Sequence, residues 1–262
     1  MIKGLKSALG GSKKNKPAIR QSDSVDAPRP DRPSFLIGDI HGRADLLELM
    51  LEGIDTYIGG IPAADPQLVF LGDYIDFGPD SLEVLERLRE LSTSFPDNVT
   101  CIMGNHERML LDTLAHPAKR GPRWLRSGGV ATLRSLGLDP GPLTDQPEGL
   151  ANALTRTLPE GMIDWLSQRP LTWTSGTLCA THAGADPYRP LAEQNARVLL
   201  WGHPELESRA RMDGNWIAYG HHRVDEPVLQ DGRIALNTGA YATGKLSACA
   251  CLPDGHFDFL QT

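Results

Sequence analysis

Ser34-Phe35-Leu36-Ile37-Gly38-Asp39-Ile40-His41-Gly42 is the stretch on which the reading of the fold turns. A short apolar run meets a glycine and then two side chains able to bind a proton or a cation. Residues 44–58 follow, with Leu46, Leu47, Met50, Leu51 and Ile54 at helical spacing. The same order of events recurs. Residues 67–71 lead into Gly72-Asp73, and residues 81–91 set Leu82, Leu85, Leu88 and Leu91 on one stripe. Residues 99–103 lead into Gly104-Asn105-His106-Glu107, and 108–115 again reads as helix. Strands alternating with amphipathic helices predict an α/β layered fold.

Outward from these blocks the pattern changes. Residues 112–170 hold helical pieces (124–136, 150–158 and 161–167) interrupted by Pro140, Pro142, Pro147 and Pro159, with no clear strand. They are expected to form a helical insertion that caps the core. Short strands are predicted at 178–181, 216–219, 234–237, 245–252 and 256–260, and this half is expected to make a second sheet. Residues 1–32 carry no aromatic side chain and no sustained period, so a basic disordered tail is expected there, ahead of one catalytic domain over 33–262. A sharper reading makes residues 1–9 a basic membrane-contact helix, which Gly4, Gly10 and Gly11 weaken.

Composition removes several classes. The 262 residues are 40 % hydrophobic and 23 % charged, as in a globular protein that needs no staple to hold its core. The longest apolar runs are about five residues, against the ~20 of a membrane span. Cys101, Cys179, Cys249 and Cys251 lack metal-finger spacing, and three of them sit in apolar strand-like stretches. Reduced thiols in a cytoplasmic protein are therefore expected. The net charge of −7 is uneven: residues 1–34 hold eight Lys and Arg against three Asp, +5. The remainder, with 18 basic and 30 acidic residues, carries −12. Such an acidic body is a poor partner for nucleic acid.

Four times an apolar strand meets Gly and then a metal-type side chain: Gly38-Asp39, Gly72-Asp73, Gly104-Asn105 and Gly220-His221. Thr181-His182 is a fifth strand end without the Gly. Ligand sites collect at the carboxyl edge of α/β sheets, and Gly allows close backbone approach there. Any one of these is as well explained as a turn Asp or a core His. Together Asp39, His41, Asp73, Asn105, His182 and His221 form an oxygen and imidazole set. That set suits Mn²⁺, Fe or Zn²⁺ and can hold two cations if one carboxylate bridges.

Gly38-Asp-Ile-His-Gly42, Gly72-Asp-Tyr-Ile-Asp-Phe-Gly78 and Gly104-Asn-His-Glu107 resemble the three signature blocks of the calcineurin-like metallophosphoesterases. Residues 127–133, Thr181-His-Ala-Gly184, residues 199–202, Gly220-His-His222 and Asn237-Thr-Gly-Ala240 resemble the bacterial and phage branch of the phosphoprotein phosphatases. The resemblance implies a four-layer sandwich of two mixed β-sheets flanked by helices. It implies two divalent metal ions, Mn²⁺ first among them. Asp39 and His41 would hold one, Asn105, His182 and His221 the other, with Asp73 bridging, so that water attacks phosphorus in line. His106 resembles the general acid and Asp76 the carboxylate that orients it. Glu107 reads as structural support. The family usually has Arg where this chain has Phe77, and related chains often carry a second phosphate-binding Arg near Trp201, where His203 stands. Arg43, Arg108, Arg223, His203 and His222 are the candidates for gripping phosphate, although for any one Arg a solvated surface group is the better reading. The implied activity is hydrolysis of phosphate monoesters on protein Ser or Thr, with phosphotyrosine or small phosphoesters as variants. Symmetrical diadenosine tetraphosphate hydrolysis is the rival enzyme. A phosphopeptide binder without turnover is the rival of another class, and it has no need of a general acid.

Overall fold

The computed structural model describes residues 27–61 and 65–262. Their core is two five-stranded sheets packed face to face. In the first, β1 (Ser34–Ile37), β2 (Gln67–Phe70) and β3 (Val99–Cys101) run parallel, and β9 (Ser247–Cys251) and β10 (Phe257–Gln261) complete the order β10-β9-β1-β2-β3. The crossovers are α1 (Ala44–Ile58) and α2 (Ser81–Ser94), and α3 (Asn105–Ala115) leaves β3. Side chains alternate across β1: Phe35 and Ile37 face the helices, while Leu36 faces the other sheet. On α1 the stripe Leu46, Leu47, Met50 and Ile54 is buried, as its spacing requires.

Residues 112–170 supply no strand. They form α4 (Pro117–Trp124), α5 (Val130–Ser135), α6 (Pro140–Asp145), α7 (Leu150–Thr157) and α8 (Met162–Ser167), and Trp124, Leu133, Leu154 and Leu166 join the helix-side core. The helix expected over 124–136 is broken. A π-turn at Leu125–Gly129 separates α4 from α5, with Gly128 at φ 104°. A Cβ there would come within 3.0 Å of Asp76 and Phe77, so the bulge seats this segment against the second block.

The second sheet has the order β4-β5-β6-β8-β7: β4 (Thr172–Ser175), β5 (Leu178–Thr181), β6 (Trp216–Tyr219), β7 (Val228–Gln230) and β8 (Arg233–Ala235). The short helices α9 (Ala196–Trp201) and α10 (Ala240–Thr243) lie in its connections. Two expectations change here. The strands β9 (Ser247–Cys251) and β10 (Phe257–Gln261) belong to the first sheet, where β9 pairs antiparallel with β1. Their alternation marks strands but carries no information about partner. The second sheet instead gains β4 and β7, strands of four and three residues too short to show a period in the sequence.

The tail boundary also moves. Residues 1–26, including the possible membrane-contact segment, lie outside the described residues. Residues 27–32 are pinned to the second sheet rather than loose. Arg29 N donates to Thr177 Oγ1 at 2.9 Å, Thr177 N to Arg29 O at 3.0 Å, and Gly176 N to Asp31 Oδ2 at 3.0 Å. Backbone in the turn between β4 and β5 needs partners, and this segment supplies them. A chain beginning at Pro33 is expected to be less stable than one beginning at Ala27 by about 2 kcal/mol, given ~1 kcal/mol net per hydrogen bond with some redundancy. Thermal unfolding of the two chains checks this; equal Tm values would show the strap to be passive.

Candidate metal centre

Six strands end at one place. Asp39 follows β1, Asp73 follows β2, Asn105 opens α3 after β3, His182 follows β5, His221 follows β6 and Asn237 follows β8. Both sheets thus turn their carboxyl edges toward a single cluster. The backbone is unusual there. His41, Asp73, Asp76, Phe77 and His221 all have positive φ, between 47° and 74°. They are five of the six non-glycine residues in that state among the described residues. Such strain persists where the surroundings over-determine it, which is typical of functional sites. Two glycines are explained by contact: a Cβ on Gly220 would lie 1.8 Å from Asp39 Oδ1, and one on Gly104 would lie 2.2 Å from Asp73 N.

All six expected ligands come together. His41, Asp73 and His106 place one donor atom each within 4.8 Å of one another, and so do Asp73, His182 and His221. Asp73 belongs to both groups. His41 Nδ1 donates to Ile75 O and His182 Nδ1 to Leu71 O, both at 2.8 Å, which turns each Nε2 toward the cluster. Asn105 Oδ1 lies 2.7 Å from His182 Nε2 and 2.9 Å from His221 Nδ1. With the amide turned over, its nitrogen would instead donate to both rings. The donor set fits cations: carboxylate and amide oxygens and imidazole nitrogens converge on one place, and neither group contains a cysteine.

Beside this cluster His106 Nδ1 is 2.6 Å from Asp76 Oδ2, both buried. Asp76 also accepts from Thr132 Oγ1 at 2.5 Å and from Trp124 Nε1 at 3.1 Å. Sequence reasoning missed Thr132 and Trp124, which lie on either side of the π-turn; Thr132 had only the resemblance of block 127–133 to mark it, and Trp124 had no such mark. It missed Asn237 as well, whose Nδ2 donates to Asp39 Oδ2 at 2.8 Å; a sixth strand-end polar residue was the available signal. Glu107, fully buried, accepts from the backbone N–H groups of Asp73, Tyr74 and Gly104 and so ties the second block to the third.

The expected phosphate-gripping residues do not converge in this way. Arg43 is held by Asp45 and by Ala240 O, and Arg108 by Asp112. The carboxylates two and four residues along, invisible to a motif reading, take up both guanidinium groups. Arg223 is exposed near Gly239. His203 Nδ1 accepts from Glu205 N. The His222 ring turns toward Gly202, and its Nε2 is buried without a hydrogen-bond partner among the described residues. An unforeseen arginine, Arg123, lies over Trp201 at 4.7 Å, and Trp201 stands edge-on to His221.

Charge inside the cluster is shared. Burial pushes the Asp39 carboxyl up to about 8, and Asp73 adds to the push. Burial also raises Asp73, but His182, His106 and His41 outweigh it and hold that carboxyl well below its usual range. Burial lowers His106 and His182, but Asp73 overcomes it and lifts each ring to about 9. For Asp39, His106 and His182 the folded value lies above the unfolded one. Their stabilisation of the metal-free protein is therefore complete below the unfolded value and is lost as pH rises through about 8 to 9. Cations compete with protons for the same atoms. Added Mn²⁺ is accordingly expected to raise Tm more near pH 9 than near pH 6.5. Scanning calorimetry with and without chelator measures this, and the reverse order would separate these rings from the cation site.

A family model described as calcineurin-like phosphoesterase matches residues 33–222. Serine/threonine-protein phosphatase 1 of Salmonella typhimurium is 39 % identical over 224 residues, 82 % of this chain and 90 % of that one. A Candida albicans serine/threonine-protein phosphatase is 44 % identical over 78 residues, which span only 23 % of its length. Among solved structures, one provisionally named a diadenosine tetraphosphatase aligns with TM-score 0.60 at 19 % identity, over 90 % of this chain and 96 % of that one. A cold-active protein-tyrosine phosphatase of a Shewanella species aligns with TM-score 0.57 at 17 % identity, over 97 % and 89 %. At such identities these two show the shared fold of mixed sheets flanked by helices. With its three signature blocks gathered into one cluster and 190 residues matched, the chain belongs to the calcineurin-like phosphoesterase family, a family of hydrolases.

Proposed function

We propose that this phosphoesterase is a protein phosphatase that removes phosphate from phosphoserine and phosphothreonine without a covalent intermediate. The single observation that carries this reading is a shared Asp73 carboxylate with a carboxylate-bound imidazole, His106, beside it. The bacterial relative named a serine/threonine phosphatase, similar over 90 % of its length, supports the substrate class. Members of the family use a dinuclear divalent metal centre. Asp39, His41, Asp73, Asn105, His182 and His221 would hold the two ions here, and the oxygen-rich set suits Mn²⁺. When bound, the pair supplies an activated water and positive charge for the phosphoryl oxygens.

The protein side chains do the rest. Asp76 accepts from His106 Nδ1 and fixes the ring so that Nε2 faces the cluster. Thr132 and Trp124 hold Asp76 in turn, so its carboxylate cannot swing away. His106 Nε2, 3.9 Å from Asp73 Oδ2, then gives a proton to the departing serine or threonine oxygen. Burial of the cluster keeps bulk water from screening these charges. Four buried cysteines without disulfides suit a reducing cytoplasm, and no helix among the described residues is long and apolar enough to cross a membrane. The test is side-by-side turnover by Mn²⁺-loaded protein on phosphopeptides, p-nitrophenyl phosphate and diadenosine tetraphosphate. Preference for the phosphopeptides is the expected result. A preference for the dinucleotide would replace the reading, and binding without turnover would make the protein a phosphopeptide binder.

A further inference from the structure

The geometry points to a leaving-group subsite built by Phe77 and Tyr241, which takes the aromatic ring of an aryl phosphate monoester, phosphotyrosine in a protein. This rests on the phosphatase reading and extends its substrates from phosphoserine and phosphothreonine to phosphotyrosine. The two rings stack at 4.5 Å with planes 17° apart. They remain 42 % and 40 % exposed, large apolar side chains that folding leaves uncovered. Both stand edge-on to His41, at 5.1 and 5.4 Å, and Phe77 is 5.4 Å from the His106 ring.

Their placement is enforced. Phe77 sits at φ 64°, a conformation a bulky residue adopts only under constraint, and the Gly128 backbone packs against its ring and amide. Tyr241 rides on the four-residue α10, which is bounded by Gly239 and Gly244 in left-handed conformations, and Arg43 holds the carbonyl of Ala240. Phenylalanine has no group with which to bind phosphate, so its service is to what lies beyond the phosphate. The leaving oxygen lies within hydrogen-bond reach of His106 Nε2. In an aryl ester the ring begins at that oxygen, and Phe77, 5.4 Å from the His106 ring, is the aromatic side chain placed to meet it. Phosphoserine offers only a methylene at that point, and a nucleobase is held away by its sugar.

Two readouts test the subsite on Mn²⁺-loaded protein: kcat/KM on phosphotyrosine and phosphothreonine peptides of one sequence, and calorimetric Kd for phenylphosphonate against methylphosphonate. In Phe77→Leu and in Tyr241→Leu, the preference for the aryl member of each pair is expected to fall roughly fivefold to tenfold. The double variant should fall by less than the product, since the rings support each other. Leucine at either exposed site disturbs little packing, and melting curves identify any variant that does not fold. Equal losses on both members would overturn the proposal, leaving the rings as mere buttresses of His41. Loss confined to diadenosine tetraphosphate would overturn it in favour of a base. Phenylphosphonate binding no tighter than methylphosphonate in the parent protein would also overturn it. If no phosphopeptide is turned over yet phenylphosphonate keeps a Phe77-dependent advantage, the subsite stands and the phosphatase reading fails.

Discussion

Asp73→Asn is expected to reduce turnover by ~10³-fold or more while the fold survives, because charge stabilisation by a metal site is worth several kcal/mol and each 1.36 kcal/mol is tenfold in rate. The substitution is nearly isosteric. Asn keeps an oxygen for the N–H of His106, which Asp73 Oδ1 now accepts at 3.0 Å. What it removes is the anion shared by the two ligand groups. The loss reaches the neighbours, since Asp73 is the group that holds His106 and His182 above their ordinary range. Both rings should then titrate lower, and NMR of the metal-free variant reads that shift independently of activity. Metal analysis after Mn²⁺ saturation should give about two ions per chain in the parent and fewer than two in the variant. A parent that holds fewer than one, or a variant that keeps its full rate, would sink the dinuclear assignment.

How much of this was legible beforehand depends on what kind of information each residue carries. Asp39, His41, Asp73, Asn105, His182 and His221 were legible because each stands just beyond a strand, and strand ends of one α/β sheet edge converge wherever the strands themselves lie. That rule needs no knowledge of strand order, which the sequence does not contain. The assignment of β9 and β10 failed for the same reason: their alternation is satisfied equally in either sheet, and only the closure of the first sheet against β1 decides between them. The phosphate-gripping candidates carry a different kind of information. A basic residue beside a metal block is ambiguous until its other neighbours are known, and Asp45 and Asp112 capture Arg43 and Arg108 at close range. Thr132 and Trp124 were hidden because the π-turn between them brings two residues eight apart onto one carboxylate. A helix of ordinary pitch would not have done so. The left-handed backbone of Phe77 has no counterpart in residue type, since a bulky side chain is seldom found there, whereas Asp76 is of a type that tolerates it.

His106→Asn gives the second large effect, and the size depends on the substrate. A proton donor matters in proportion to the basicity of the oxygen it serves. Serine leaves as a strongly basic alkoxide unless protonated, whereas p-nitrophenolate leaves readily without help. Loss of the ring should therefore cost a phosphoserine peptide ~10²–10⁴-fold in kcat, the usual worth of general acid catalysis, and p-nitrophenyl phosphate far less. Asp76→Asn should follow the same pattern at smaller amplitude. It leaves the imidazole in place but removes the charge that orients it, with Thr132 and Trp124 still bonding to an amide. The pH profile adds a second readout. The His106 ring is raised to about 9 by Asp73 and Asp76 acting against burial, so it is protonated at neutral pH and loses its proton as pH rises. Cations in the cluster oppose that elevation and move the alkaline limb to lower pH. The limb should appear in kcat/KM for the serine substrate and vanish in the His106 variant. Two substrates slowed by the same factor, with the limb intact, would mean that His106 only supports the ligand cluster and that the proton comes from elsewhere.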